Sequence, residues 1–102
     1  MKLIDLIDTL EEFDDNLVIF VPVDEPLQPS IDAITVLIDV YLKDEEPPEG
    51  LEYFIEVELA KDVIRVWQEW REGRVPDKHE KYQAVIYYAQ HDAYMPTDEM
   101  IM

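Results

Sequence analysis

The residues best suited to chemistry lie near the C-terminus, in the stretch YYAQHDAYM from Tyr87 to Met95. A histidine beside an aspartate, with tyrosines nearby, could serve acid–base catalysis. Successive residues of a helix differ by about 100° around its axis, so His91 and Asp92 need not face the same substrate. We therefore expect the stretch to be the end of a helix, with Tyr87 as an exposed contact residue rather than part of an active site.

Other chemical constellations are missing from the sequence. Ser30 is the only serine, and the chain contains no cysteine, so nothing resembles a nucleophile motif. Two glycines, Gly50 and Gly73, are too few for a phosphate-binding loop. His79 and His91 would lie about 120° apart around one helix, which disfavours a shared metal ion. The sequence therefore predicts no catalytic activity, no cofactor and no metal site.

Charge is the strongest compositional signal. The 102 residues include 25 Asp and Glu against eight Lys and Arg, a formal net charge of −17. Such a field repels the phosphates of nucleic acids and of anionic membranes, because binding to them depends on cationic side chains. It attracts basic proteins, at rates that salt reduces. An acidity that serves only solubility is the alternative interpretation.

Hydrophobic spacing predicts the elements of the first half. A helix over residues 2–12 is indicated by apolar residues at helical spacing, namely Leu3, Leu6, Ile7, Leu10 and Phe13. The apolar run LVIFV (17–21), closed by Pro22, is typical of a strand buried on both faces. Strict alternation from Ile34 to Leu42 predicts a second strand, with Ile34 facing the core.

The second half begins with a third strand and returns to helical spacing. In that strand Tyr53, Ile55 and Val57 are expected to face inward. A helix then begins at Leu59, carries Trp67 and Trp70 into the core, and ends near Gly73. Asp77 and Glu80 have the spacing of a capping box that starts a final helix. Its inward residues are predicted to be Tyr82, Val85, Ile86, Ala89 and Ala93.

The element order α-β-β-β-α-α predicts an α+β fold, with a small, mostly antiparallel three-stranded sheet packed with three helices. We expect one domain over residues 1–102, of which residues 96–102 form a loose tail. The N-terminal sequence MKLIDLIDTLEEF lacks the features of a signal peptide. No apolar run approaches the length of a membrane span, so we expect a cytoplasmic protein.

The outer face of this sheet is the predicted binding surface. If the inward residues of the strands face the helices, carboxylates alternate with aromatic rings on the opposite face. Such a face suits a partner rich in lysine or arginine, through charge steering and a few aromatic anchors. An ordinary solvated face, or one covered by a helix, is the alternative. The predicted contact residues are Asp39, Tyr41, Glu52, Phe54, Glu56 and Glu58, with Tyr87 in addition.

The C-terminal half resembles small acidic bacterial proteins grouped as domains of unknown function. The resemblance rests on the run YFIEVELAKDVIRVW (53–67) and on the ending YYAQHDAYM, where Tyr87, Tyr88, Asp92, Ala93 and Tyr94 match the family's pattern. It covers about half of the chain and brings no catalytic residue. By analogy, it implies kinship with immunity proteins that neutralise toxins.

These patterns lead to two functional hypotheses. The first is a small non-enzymatic protein that engages a basic partner protein, as an immunity protein or antitoxin-like inhibitor would. The second is a structural or scaffold protein that acts through homo-oligomerisation, with its tyrosines and Trp70 at a dimer interface.

Overall fold

A computed structural model of the protein describes residues 1–37 and 50–96, with only the backbone described at positions 36 and 37. The chain order confirms the predicted α+β class and the order α-β-β-β-α-α. The described elements are helix α1 (Leu3–Asp8), a 3-10 helix (Leu10–Glu12), strands β1 (Leu17–Pro22), β2 (Ile34–Leu37) and β3 (Leu51–Glu56), and helices α2 (Val57–Glu69) and α3 (Lys78–His91).

The three strands form an antiparallel sheet in the order β2-β1-β3. The central strand β1 is buried on both faces, as its apolar run predicts. Ile19 and Val21 belong to the core beneath the helices, whereas Val18 and Phe20 are buried on the opposite face. The predicted extension of β2 through residues 38–42 lies outside the described residues, as does the predicted tail from residue 97.

The main core lies between one face of the sheet and the three helices. It draws on every described helix and on strands β1 and β3, so these elements share one packing unit. Helix α3 packs against both α1 and α2. The largest side chains fully buried in this core are Leu3, Leu6, Ile7, Ile19 and Ile55.

The first helix buries the predicted face, but it is not continuous over the predicted residues 2–12. It divides at Thr9, whose hydroxyl donates to the carbonyl of Asp5 at 2.9 Å. A threonine bonded in this way competes with the regular helical pattern. The apolar residues Leu3, Leu6 and Leu10 are nevertheless buried together, because the 3-10 turn keeps Leu10 on the same side.

Ile55 and Val57 are buried in the core, as the predicted alternation of β3 requires. The alternation fails before them, because the pairing of β1 with β3 shifts register between Ile19 and Phe20. Ile19 pairs with Ile55, but Phe20 pairs with Tyr53, so Phe54 is the extra residue. One extra residue reverses the faces on either side of it. Tyr53 is consequently 43% exposed rather than inward, and Phe54 packs against the core.

Two further expectations about inward-facing residues, at Ile34 and Trp70, are wrong. Ile34 is 45% exposed, since it pairs with Phe20 on the face away from the helices. Trp67 is buried as predicted, but Trp70 is 39% exposed at the end of α2. In α3, Val85 is buried as predicted, and Ala84 is buried as well.

Ala89 and Ala93, predicted to face inward, are exposed. The predicted inward face includes Tyr82, which is only partly buried at the edge of the core. The face that is buried carries Ala84 and Val85, so it is rotated around the helix from the predicted one.

Candidate functional site

A groove of about 670 Å³ lies beside helix α2, where the 3-10 helix and the following loop meet the end of β3. We call it the acidic groove. Its described lining consists of Glu11, Asp15, Glu56, Glu58, Leu59, Lys61, Asp62, Ile64, Arg65 and Gln68. Carboxylates therefore outnumber cations in the lining, and the cations present are already bonded.

Lys61 ties α2 to the loop before β1. Its Nζ donates to the carbonyl of Phe13 and to Oδ1 of Asp15, both at 2.7 Å. The bond to Asp15, with the nearby charges of Glu11 and Asp14, raises the pKa of Lys61. The lysine thus stays charged and neutralises Asp15.

Asp62 is bonded through both of its carboxylate oxygens. Oδ1 accepts from Nε of Arg65 at 3.0 Å and from Nη2 at 2.5 Å. Oδ2 accepts from the hydroxyl of Tyr94 at 2.9 Å. These hydrogen bonds, the one from Arg65 foremost, hold the pKa of Asp62 below its usual range. Arg65 also donates to Glu69 at 2.6 Å, so its charge is shared between two carboxylates.

Three carboxylates of the groove have no ion-pair partner among the described residues: Glu11, Glu56 and Glu58. The partly buried side chains of Leu59 and Ile64 lie beside them in the lining. The groove therefore combines apolar surface with unneutralised negative charge. That combination matches a lysine or arginine side chain, whose aliphatic stem packs on apolar surface while its charged end meets a carboxylate.

Strand β3 runs directly into helix α2 at the acidic groove, with no loop between them. Glu56 is the last residue of β3 and Val57 the first of α2, so Glu58 belongs to the first turn of a helix. This corrects its predicted place on a strand. The negative charge of Glu58 is favoured at that position by the positive end of the helix dipole.

The structure brings together only two of the predicted contact residues, Glu56 and Glu58, which both line the acidic groove. The predicted common sheet face is wrong, because Glu56 pairs with Val18 on one face and Glu52 pairs with Val21 on the other. Glu52 is exposed outside the groove, whereas Phe54 packs against the core. Asp39 and Tyr41 lie outside the described residues.

Tyr87 is half-buried rather than fully exposed. Its ring lies tilted against that of His91, with the centroids 4.3 Å apart. Asp92 ends the helix in the left-handed conformation, with its amide donating to the carbonyl of Tyr88 at 2.8 Å. The histidine and aspartate thus have separate local roles, as the helical geometry predicts.

Sequence reasoning missed Glu11, Asp15, Lys61 and Asp62 as groove residues. A partial signal was available, since Asp62, Arg65 and Glu69 have the spacing of ion pairs on one helical face. The link from Lys61 to the loop at Asp15 spans 46 positions. No local pattern indicates such a contact.

A second concavity, of about 400 Å³, lies between the N-terminus and the start of α3. Lys2, Ser30, Lys78 and His79 line it, and Lys78 is paired there with Asp5. Within residues 1–37 and 50–96, no three histidine, aspartate or glutamate side chains are grouped as a metal site requires. None of the helices in those ranges is both long and apolar enough to cross a membrane.

Comparison of the chain with protein-family models, with curated proteins and with solved structures finds no match. The resemblance of the C-terminal half to acidic bacterial proteins therefore stays a prediction.

Proposed function

We propose that the protein is a non-catalytic binding protein that takes a basic partner protein at the acidic groove. One observation carries this proposal: every lysine and arginine from position 61 to position 81 is already bonded within the chain. Lys61, Arg65, Arg74, Lys78 and Lys81 form ion pairs. Arg71 donates to the carbonyls of Trp67 and Pro96.

Each of these paired cations already neutralises a carboxylate of the same chain, so it does not offset the charge of the other carboxylates. The cations satisfy Asp5, Asp8, Asp15, Asp62, Glu69 and Glu80. Charge of this kind attracts a basic protein over long range and can be neutralised by its lysines and arginines.

The acidic groove provides the close contacts that the proposed binding of a partner requires. Glu56 and Glu58 are adjacent to Leu59 in sequence and share the lining with it. A partner side chain that lies along Leu59 can therefore place its charge between these carboxylates. The partner chemistry that fits is a lysine- or arginine-rich surface segment.

In its most concrete form, the proposal is an immunity protein or antitoxin-like inhibitor that occludes a cationic toxin in the cytoplasm. The acidic groove supports this version only through its charge and shape. Steric and electrostatic occlusion would suffice as a mechanism, since neither requires the inhibitor to react.

A charge-matched pair of variants tests the proposal. Glu56→Gln with Glu58→Gln removes two groove carboxylates, and Asp24→Asn with Glu25→Gln removes two exposed carboxylates that do not line the groove. We expect the groove variant to bind a lysine- and arginine-rich peptide roughly three- to tenfold more weakly than the control variant. Equal affinities, measured by calorimetric titration, would contradict the groove as the binding site.

A second candidate function is homo-oligomerisation through the aromatic end of α2. Trp70 is 39% exposed there, and its ring lies edge-on to that of Tyr94 with the centroids 5.9 Å apart. Exposed aromatic side chains are common anchors of protein interfaces. A stable dimer in light scattering at micromolar concentration, lost in Trp70→Ala, would favour this function; a monomer at all concentrations would exclude it.

A further inference from the structure

The five residues that follow helix α3, Asp92–Pro96, lie against helix α2 as a strap. Arg71 fixes the backbone of the strap, since its Nη2 donates to the carbonyls of Met95 at 3.4 Å and Pro96 at 3.2 Å. Pro96, the first residue of the predicted tail, is thus hydrogen-bonded. Tyr94 fixes the strap by its side chain, with its ring between those of Trp70 and Tyr88 at centroid distances of 5.9 and 5.2 Å.

The hydroxyl of Tyr94 connects this strap to the acidic groove. It donates to Oδ2 of Asp62, while Arg65 occupies Oδ1 of the same carboxylate. Asp62 lines the groove, and three hydrogen bonds already use three of the roughly four acceptor sites of its carboxylate. A partner's cation that bonds it with two donors must therefore displace one of these bonds. Arg65 holds Asp62 through two nitrogens and also bonds Glu69, so Tyr94, with its single hydrogen bond, is the donor that yields more readily.

We propose that Tyr94 is a positioning residue that limits cation binding in the acidic groove: a partner's lysine or arginine competes with its hydroxyl for Asp62, and binding loosens the strap. This inference rests on the proposed function. Coupling between two events is reciprocal. If partner binding favours release of the strap by a certain factor, release of the strap must therefore increase the affinity for the partner by the same factor.

A single-atom change tests this competition. Tyr94→Phe removes the hydroxyl and keeps the ring between Trp70 and Tyr88. We expect it to tighten binding of a lysine- and arginine-rich peptide by roughly two- to tenfold, the equivalent of one hydrogen bond. Tyr88→Phe is the matched control, because the hydroxyl of Tyr88 makes no hydrogen bond with the described residues, and it should leave the affinity unchanged.

Tryptophan fluorescence of the unmodified protein supplies a readout that a purely structural role of Tyr94 would not move. The ring of Tyr94 packs edge-on against Trp70, which does not line the groove, so a peptide without aromatic residues should change the emission by loosening the strap. If the protein binds the peptide but Tyr94→Phe has the same affinity, or the emission is unaltered, the inference is wrong and the proposed function stands. If the unmodified protein fails to bind the peptide, the proposed function is overturned and the inference with it.

Discussion

The carboxylates of the acidic groove differ in what already bonds them. Asp15 and Asp62 accept from cations or from a tyrosine of the same chain, whereas Glu56 and Glu58 have no such donor among the described residues. The hydrogen bonds from Arg65 and Tyr94 also lower the pKa of Asp62. In the proposed binding of a basic partner, Glu56 and Glu58 are therefore the carboxylates that can accept its cations without first losing a donor.

The depressed pKa of Asp62 predicts a pH dependence of stability. Arg65 and Tyr94 favour the ionised carboxylate in the folded state, so their stabilisation is complete above the unfolded pKa of roughly 3.9 and is lost as the pH falls through the lower folded value. Asp62→Asn should therefore lower the melting temperature at pH 7, and the difference from the unmodified protein should shrink below about pH 4. A difference that stays constant from pH 7 to pH 3 would contradict this origin.

At the scale of elements, patterns within one element predicted the fold well, whereas contacts between elements were less predictable. The buried strand LVIFV and the capping box of Asp77 and Glu80 are both confirmed. The extra residue at Phe54 depends on how β3 pairs with β1, and no period in β3 itself indicates it. The common outer face predicted from that period is therefore wrong, although two of the predicted contact residues line the acidic groove.

The capping box of α3 gives a prediction at this scale. The side chain of Asp77 accepts from the amide of Glu80 at 2.9 Å, and the side chain of Glu80 accepts from the amide of Asp77 at 3.1 Å. Asp77→Ala should lower the free energy of unfolding by about 1 kcal/mol, because an N-terminal amide loses its acceptor. Asp77→Ser keeps an acceptor and should cost less in chemical denaturation; an equal loss in both variants would assign the effect to charge instead.

The way the two edge strands pair with β1 predicts unequal costs for two isoleucines, since Ile55 pairs with Ile19 and Ile34 pairs with Phe20. Ile55 is buried in the core, and Ile34 is 45% exposed on the opposite face. Ile55→Ala should cost about 2–5 kcal/mol of unfolding free energy, and Ile34→Ala less than about 1 kcal/mol. Urea denaturation measures both changes. Similar losses would show that the two side chains are equally packed and that the described register is wrong.

At the scale of the whole molecule, the positions of the charged residues say more about a possible binding surface than the net charge does. A net charge of −17 is compatible with simple solubility. Its cations, however, are concentrated between positions 61 and 81, where each one bonds a partner within the chain. Composition alone predicts a basic partner, and that stays a prediction. The proposal of the acidic groove as the contact site depends in addition on the long-range link between Lys61 and the loop at Asp15.

The most direct test of a groove that binds basic proteins is calorimetric titration with a lysine- and arginine-rich peptide at two ionic strengths. The Debye length falls from about 30 Å at 0.01 M to about 8 Å at 0.15 M salt. We therefore predict clear binding at low salt, a loss of affinity of at least about tenfold at the higher ionic strength, and no binding of a peptide with glutamate at every basic position. An affinity that is indifferent to salt, or no binding at low salt, would contradict the account.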